Sequence, residues 1–165
     1  MMSNALSIAT ALLRRYDFEG LRLAPYLCPA GYWTIGYGNR ALADGSPVTR
    51  LTEPISEGEA VALLERTVAG LQRVLAGMVT VPLLSWQEGA LLSWQYNVGS
   101  AAVRGSTLLR LLNQRLYVAA GQQLLRWDKA TVNDRLVPLP GLQRRRCIEL
   151  SVYQGRPVSG VPFTV

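Results

Sequence analysis

The sequence predicts an α+β fold in which a small antiparallel β-sheet lobe is joined by a long helix to an α-helical lobe. Three observations predict it. Glycine, proline and aromatic residues are dense between positions 22 and 48, as in short strands and tight turns. Apolar residues recur at helical spacing over 56–78, and most of the chain beyond them has a helical pattern as well. We expect one domain over 1–165, with a β-containing lobe at about 16–58 and a helical lobe at about 80–155 that includes the N-terminal helix.

The first predicted element is an amphipathic helix at the N-terminus. Leu6, Ala9, Leu13 and Tyr16 recur at intervals of three and four residues, which places them on one helix face. We expect the helix to end near Phe18–Gly20, where a glycine interrupts the pattern.

A β-hairpin is predicted to follow this helix. Tyr26–Cys28 and Tyr32–Ile35 are short runs of apolar and aromatic residues, and Pro29–Gly31 between them has the composition of a tight loop. These two runs are expected to form the small antiparallel sheet.

The remaining elements are predicted to be helices. Ser56 and Glu59 have the spacing of a capping box, and the long helix that they open must end before Pro82. Ser85 and Glu88 repeat this spacing, with Ser85 as the N-cap, and a glycine at position 99 is expected to end the second helix. Shorter helices are predicted at about 107–116, 118–127 and 142–154.

The composition excludes several kinds of catalytic and metal site. The chain has no histidine, which excludes Ser-His-Asp and Cys-His catalysis and imidazole metal ligands. Its two cysteines are too few for a disulfide scaffold or a four-cysteine zinc site. The 17 Lys and Arg residues against 11 Asp and Glu residues give a formal charge of +6, which suits nucleic acid, a membrane surface or an acidic polysaccharide.

Three residues of one short segment have side chains suited to acid–base chemistry. Glu19 lies at the predicted end of the first helix, where the helix dipole disfavours a negative charge and so favours a carboxylic acid that can donate a proton. Cys28 ends the first predicted strand and Thr34 lies in the second. Taken singly, each has an ordinary structural explanation, as an exposed acid, a small core residue and a strand threonine. Together they place an acid, a thiol and a hydroxyl on a helix end and the hairpin beside it.

Residues 19–38, EGLRLAPYLCPAGYWTIGYG, resemble the catalytic segment of the phage-type lysozymes, glycoside hydrolase family 24. In that family a Glu, an Asp or Cys, and a Thr are separated by eight and then five residues, within EGxRxxxY and TIGYG. Further similarity lies in the predicted helix from position 87 to 99, in 106–109 and in GLxxRRxxE at 141–149. The resemblance covers roughly residues 5–155 and implies a lysozyme-like fold.

The resemblance implies a muramidase, which cleaves the β-1,4 bond between N-acetylmuramic acid and N-acetylglucosamine. Glu19 would protonate the glycosidic oxygen, Thr34 would orient a water on the opposite face of the sugar, and Cys28 would act as a base or as a polar partner of that water. Cys28 stands where many members have Asp. Asn39 replaces the His of TIGYGH and, with Tyr37, is expected to support the site.

The same resemblance implies residues that bind the glycan. Tyr96 and Asn133 align with positions that contact it, although a core position is an equal alternative for Tyr96. Arg40 follows the TIGYG turn, where it would meet a muramyl lactate or a peptide carboxylate. No metal and no organic cofactor are implied. Trp94 is expected in the core, as is Cys147, which would be a small buried hydrophobe.

The resemblance also implies the partner and the place of action. We expect a phage endolysin, a monomer, made in the host cytoplasm and acting on peptidoglycan of the cell wall, on the periplasmic side, once the membrane is permeabilised. Residues 5–13 lack the positive region that precedes a signal core, and Arg14–Arg15 follow them instead of a cleavage site. We therefore expect no stable membrane insertion, and wall access that depends on a holin.

Other functions remain open at this point. One is a tail-associated lysozyme or a bacterial muramidase toxin, and another is a catalytically weak wall-binding module, which Cys28 and Asn39 motivate. The charge alone would also fit a nucleic-acid binder. We expect no nucleic-acid partner, because Arg144–Arg146 is interpreted as a helix face that pairs locally or is solvated.

Overall fold

The computed structural model describes residues 4–163 and confirms the α+β prediction. Seven α-helices and two two-stranded antiparallel sheets lie within that range. The helices are α1 (Asn4–Leu13), α2 (Glu57–Met78), α3 (Ser85–Val98), α4 (Ser100–Arg104), α5 (Thr107–Asn113), α6 (Tyr117–Gln122) and α7 (Pro140–Tyr153), with a 3₁₀ turn (Gln123–Arg126) after α6. The strands are β1 (Arg22–Leu27), β2 (Trp33–Gly36), β3 (Lys129–Val132) and β4 (Arg135–Pro138).

The hairpin of β1 and β2 confirms the predicted first sheet. Tyr26 pairs with Thr34 across the two strands. The loop closes through a hydrogen bond from Gly31 N to Cys28 O at 2.8 Å and one from Cys28 N to Tyr32 O at 2.9 Å. Gly31 has φ of 86°, a left-handed conformation that a three-residue hairpin loop requires and that glycine adopts without strain.

The long helix α2 begins at the predicted capping box. Ser56 Oγ accepts from Glu59 N at 3.1 Å, and Glu59 Oε2 accepts from Ser56 N at 2.7 Å. Leu63 on this helix packs with Ile35 and Val48 in a small cluster beside the first sheet. The larger hydrophobic core lies among α1, the rest of α2 and the C-terminal helices, and Trp94 is fully buried in it, as predicted.

The first helix ends earlier than predicted. α1 stops at Leu13, and Tyr16, expected on its apolar face, is 93% exposed. Arg14 and Arg15 follow Leu13, the last buried residue of the helix, and Tyr16 has no apolar surface to pack against. Extending the helix to Tyr16 would therefore bury no further apolar side chain. Glu19 therefore lies in the loop before β1 and not at a helix end.

The cap of α3 is also displaced from its predicted position. Ser85 is the first helical residue, the N-cap is Leu84, and Leu84 N donates to Gln87 Oε1 at 2.9 Å. Glu88 instead accepts a hydrogen bond from Gln72 of α2, at 2.9 Å. The predicted stop at Gly99 is confirmed, with φ of 90° there.

A second hairpin, which the sequence pattern does not predict, occupies residues 129–138. Asn133 and Asp134 form its two-residue turn, with φ of 49° and 61°. These are residue types that tolerate the left-handed conformation such a turn needs. The short helix α4 was not predicted either.

Cys147 is exposed, so the prediction that it is a buried core residue is wrong. It lies on α7, whose buried face is formed by Arg145, Arg146, Glu149, Val152 and Tyr153. These buried positions are spaced by three or four residues and form one face of the helix. Cys147 lies between them in sequence and therefore on the opposite face.

Candidate active site

The Glu19 carboxylate is held by an arginine from the far end of the chain. Arg145 Nη1 on α7 donates to Glu19 Oε1 at 2.8 Å, and the two side chains are 5% and 23% exposed. Arg145 also lies over the ring of Phe18, 4.7 Å from its centroid. The predicted influence of a helix dipole on Glu19 is therefore wrong, because the helix ends earlier and a positive charge faces the carboxylate instead.

Arg145 belongs to a buried ionic network of two arginines and two carboxylates. Its Nε donates to Glu149 Oε1 at 3.1 Å and its Nη2 donates to Ser93 O at 3.1 Å. Ser93 Oγ donates to the same Glu149 oxygen at 2.8 Å, and Arg146 pairs with the other Glu149 oxygen. With Glu19 included, the charges balance, and each buried charge has a partner, as burial requires.

Arg144–Arg146 were predicted to pair locally or to be solvated, and this is confirmed. Arg145 and Arg146 both pair with Glu149, and Arg144 is exposed. Arg145 is the residue of this site that sequence reasoning missed. Two signals pointed to it: the GLxxRRxxE motif at 141–149, to which no role was assigned, and the interval of four residues between Arg145 and Glu149, which also occurs on solvated helix faces.

Cys28 and Thr34 lie together on the hairpin. Thr34 is 3% exposed and its Oγ1 donates to Tyr32 O at 2.9 Å. Cys28 is half-buried. A hydrogen bond from the Tyr32 backbone N–H lowers the pKa of the Cys28 thiol below its ordinary value, with smaller contributions from the Ala30 N–H and the Arg40 guanidinium and against the opposite influence of burial.

Tyr26 connects this pair to Glu19. It pairs with Thr34 across the strands. Burial raises the pKa of Tyr26, and the negative charges of Cys28 and Glu19 raise it further, against the opposite influence of Arg22. Tyr26 thus lies beside Thr34 in the sheet and within electrostatic range of both Cys28 and Glu19.

The two residues predicted to support the site lie in the turn after β2. Tyr37 is 3% exposed, and its hydroxyl accepts a hydrogen bond from Arg14 Nε at 3.4 Å. Asn39 Nδ2 donates to Thr67 Oγ1 of α2 at 2.9 Å. Asn39 can thus tether the turn to the long helix with its amide, without the imidazole that the family commonly has there.

Tyr96, expected to bind glycan, reaches the same turn from α3. Its hydroxyl donates to Tyr37 O, and Gly38 lies directly beside it. Burial raises the pKa of Tyr96, and the nearby Glu19 carboxylate raises it further, while Arg145 acts in the opposite direction.

Of the other two residues predicted to bind the glycan, Arg40 lines a groove beside the first hairpin, whereas Asn133 lies on the second hairpin. Arg40 stacks on the Tyr32 ring, 3.8 Å from its centroid, and lines a groove of about 560 Å³ that Tyr96 also borders. Asn133 lies at the tip of the second hairpin. Within residues 4–163, Asn133 makes no hydrogen bond or ion pair that connects it with the site around Glu19.

Residues 4–163 contain no group of three or more Cys, Asp and Glu side chains placed to hold a metal ion. Over the same range, no helix has both the length and the apolar character needed to cross a bilayer.

Comparison with known proteins identifies the family. The sequence model of the family described as Phage lysozyme matches residues 16–149. An endolysin of Acyrthosiphon pisum secondary endosymbiont phage 1 is 37% identical over 143 residues, which are 87% of this chain and 92% of that protein. The solved endolysin from Escherichia coli O157:H7 phage FAHEc1 is 29% identical with a TM-score of 0.80, covering 96% of this chain and 97% of that one.

A bacterial protein is similar as well. The muramidase domain of SpmX from Asticaccaulis excentricus is 31% identical with a TM-score of 0.72, over 88% of this chain and 93% of that chain. These similarities confirm the lysozyme-like fold and the enzymatic class that the sequence predicts. Since the family match spans most of the chain and a relative above 30% identity is covered almost completely, this chain belongs to the phage lysozyme family of glycoside hydrolases.

Proposed function

We propose that this lysozyme is an endolysin that hydrolyses the β-1,4 bond between N-acetylmuramic acid and N-acetylglucosamine in peptidoglycan. The observation that carries the proposal is the Glu19 carboxylate anchored by Arg145 at 2.8 Å, just before the hairpin that carries the Cys28 thiol and the Thr34 hydroxyl. An acid on one side of a glycosidic bond and a water-holding pair on the other are what its hydrolysis requires.

Glu19 is the proposed general acid. Arg145 fixes its Oε1, while Oε2 accepts no hydrogen bond from the described residues and faces the open side of Gly38. The proton would be carried on Oε2 and passed to the glycosidic oxygen as the bond to the anomeric carbon breaks. A general acid of this kind contributes typically about 10² to 10⁴ to the rate.

Thr34 and Cys28 are the proposed partners of the attacking water. The Thr34 hydroxyl donates its proton to Tyr32 O. Its lone pairs can therefore accept a hydrogen bond from the water. The lowered pKa of Cys28 favours the thiolate, which accepts the second water proton as the oxygen attacks the anomeric carbon. In this role Cys28 is a base; the alternative role is a polar partner that only positions the water.

Arg40 is the proposed contact for an acidic group of the substrate. Its guanidinium is held on the Tyr32 ring, beside Cys28 and at the edge of the groove, where a muramyl lactate or a peptide carboxylate would reach it. Asn133 is proposed to contact the glycan because it aligns with a family position that does so.

The proposed route to the wall starts in the host cytoplasm. A monomeric enzyme would remain in the cytoplasm until a holin permeabilises the membrane. It would then degrade the wall from the periplasm. Expression of this chain alone tests the proposal: growth should continue until the membrane is permeabilised artificially. Lysis without permeabilisation would contradict it.

Turbidity loss of outer-membrane-permeabilised cells tests the enzymatic proposal against a wall-binding module. The wild type is compared with Glu19→Gln and with Glu53→Gln, a control at an exposed glutamate. We expect Glu53→Gln to match the wild type and Glu19→Gln to lose at least about 10²-fold in rate, because the amide has no proton to give. Equal and near-zero activity in all three would favour the binding module, which the endolysin relatives do not favour.

A further inference from the structure

One face of α3 contacts the active site at two points. Ser93 O accepts from Arg145 Nη2 at 3.1 Å, and the same guanidinium holds Glu19 Oε1 at 2.8 Å. Three residues later, Tyr96 Oη donates to Tyr37 O, in the turn that directly follows β2. Residues three apart on a helix lie on the same face. The same helix is therefore tied to the acid and to the strand that carries Thr34.

The contact at the turn is close. Gly38 has φ of 94°, and a Cβ built on it would lie 3.6 Å from Tyr96 Oη and 3.8 Å from Glu19 Oε2. The Tyr96 hydroxyl and the Glu19 carboxylate thus both lie close to Gly38 of the turn. A side chain at position 38 would touch both the hydroxyl and the acid at ordinary van der Waals distance, and the φ of 94° would strain it.

The Tyr96 hydroxyl is committed to the protein. A phenol has one proton to donate, and here the backbone oxygen of Tyr37 receives it. Burial raises the pKa of Tyr96, so the group remains a neutral donor at the pH values at which a wall hydrolase acts. A donated hydrogen bond from this hydroxyl to the glycan would require the bond to Tyr37 to break.

We infer that Tyr96 is a positioning residue, whose hydroxyl ties the Tyr37–Gly38 turn to α3 and so sets the gap between Glu19 and the hairpin that carries Cys28 and Thr34. The inference rests on the proposed function. Both sides of the gap are then held by the same helix, α3. The acid is held through Arg145, and the hairpin is held through the turn. A displacement of about 1 Å in such an arrangement can cost about 10²-fold in rate.

The test compares Tyr96→Phe with Tyr153→Phe. Tyr153 is a matched control, because it is 4% exposed and its hydroxyl likewise donates to a backbone oxygen, that of Tyr117, at 2.8 Å. Each substitution removes one such bond. Steady-state kinetics on soluble peptidoglycan strands, with the folded fraction measured by thermal unfolding, gives kcat and KM separately.

We expect Tyr153→Phe to keep the kcat and KM of the wild type, and Tyr96→Phe to lose about ten- to a hundredfold in kcat with KM within about twofold. Raised KM with unchanged kcat would overturn the inference and make Tyr96 a glycan contact. Unchanged kcat and KM in Tyr96→Phe would also overturn it. An inactive wild type would refute the proposed function instead, so the two failures are distinguishable.

Gly38→Ala keeps the test decisive if Tyr96→Phe does not fold. It leaves the hydroxyl in place, adds a methyl group in contact with Tyr96 Oη and Glu19 Oε2, and strains the turn, because alanine adopts a φ of 94° unfavourably. We expect the same loss of kcat at nearly constant KM. A Gly38→Ala enzyme with the kcat of the wild type would show that the gap tolerates a change at the turn, and would overturn the inference.

Discussion

Arg145 Nη1 donates to Glu19 Oε1 at 2.8 Å across 126 residues of chain. The arginine is itself fixed by Glu149 and by the backbone of Ser93, so the carboxylate is held by a group with little freedom to move. One carboxylate oxygen is thus anchored while the other stays available. The acid is positioned by a buried ion pair and not by the helix that precedes it in sequence.

Removing this arginine should destabilise the protein strongly. Arg145→Met leaves Glu149 with one partner fewer and Glu19 with none, and breaking a buried pair costs about 3–5 kcal/mol. Arg144→Met is the control, because Arg144 is the adjacent arginine on the same helix and is exposed; its change should stay within about 0.5 kcal/mol. Urea unfolding measures both. Equal unfolding free energies for the two variants would contradict the network.

Substitution of Cys28 should distinguish a base from a spacer. If the thiolate is the base, Cys28→Ser loses most activity because a hydroxyl does not ionise near neutral pH, whereas Cys28→Asp keeps or exceeds the wild-type rate. Cys147→Ser is the control at the exposed free cysteine and should be fully active. Rates are measured on permeabilised cells across pH. A Cys28→Ala enzyme with full activity and an unchanged pH profile would remove Cys28 from the mechanism.

The lowered pKa of Cys28 also predicts how stability depends on pH. The folded protein holds the thiol proton less tightly than the unfolded chain, whose cysteine titrates near its ordinary pKa of about 8.5. The stabilising contribution is therefore complete above that ordinary value and disappears as pH falls through the lowered one. Unfolding of wild type and Cys28→Ser should diverge in the wild type's favour as pH rises through this window. A difference independent of pH would contradict the shift.

Asn133 tests the part of the site that lies on the second hairpin. Asn133→Gly removes the side chain while glycine readily keeps the φ of 49°, and Asp134→Gly is the matched change at its neighbour, with φ of 61°. If Asn133 contacts the glycan, Asn133→Gly should raise KM about two- to tenfold, the value of one hydrogen bond, and Asp134→Gly should not. Equal KM values for both variants would leave Asn133 with a role in the turn only.

Local patterns predicted much of this fold. The spacing of Glu19, Cys28 and Thr34, and the capping box at Ser56, depend on residues close in sequence, and the structure has the hairpin and the long helix where those patterns place them. The end of α1 was missed because Tyr16 fits the helical period although it has nothing to pack against.

Long-range polar contacts could not be predicted in this way. α7 buries Arg145, Arg146 and Glu149, residue types that a hydrophobic pattern assigns to the surface. Partners distant in sequence make this burial favourable, among them Glu19, Ser93, Asn97 and the backbone of Trp127. Likewise, nothing near Tyr96 in sequence indicates that its hydroxyl is bonded to Tyr37.

Mass analysis of the muropeptides released from purified sacculi tests the central claim most directly, that Glu19 protonates the bond after N-acetylmuramic acid while water attacks from the Cys28 and Thr34 side. The wild type should release fragments that end in reducing N-acetylmuramic acid, and Glu19→Gln should release almost none. Fragments that end in anhydro-muramic acid would identify a lytic transglycosylase, in which no water attacks, and would contradict this account.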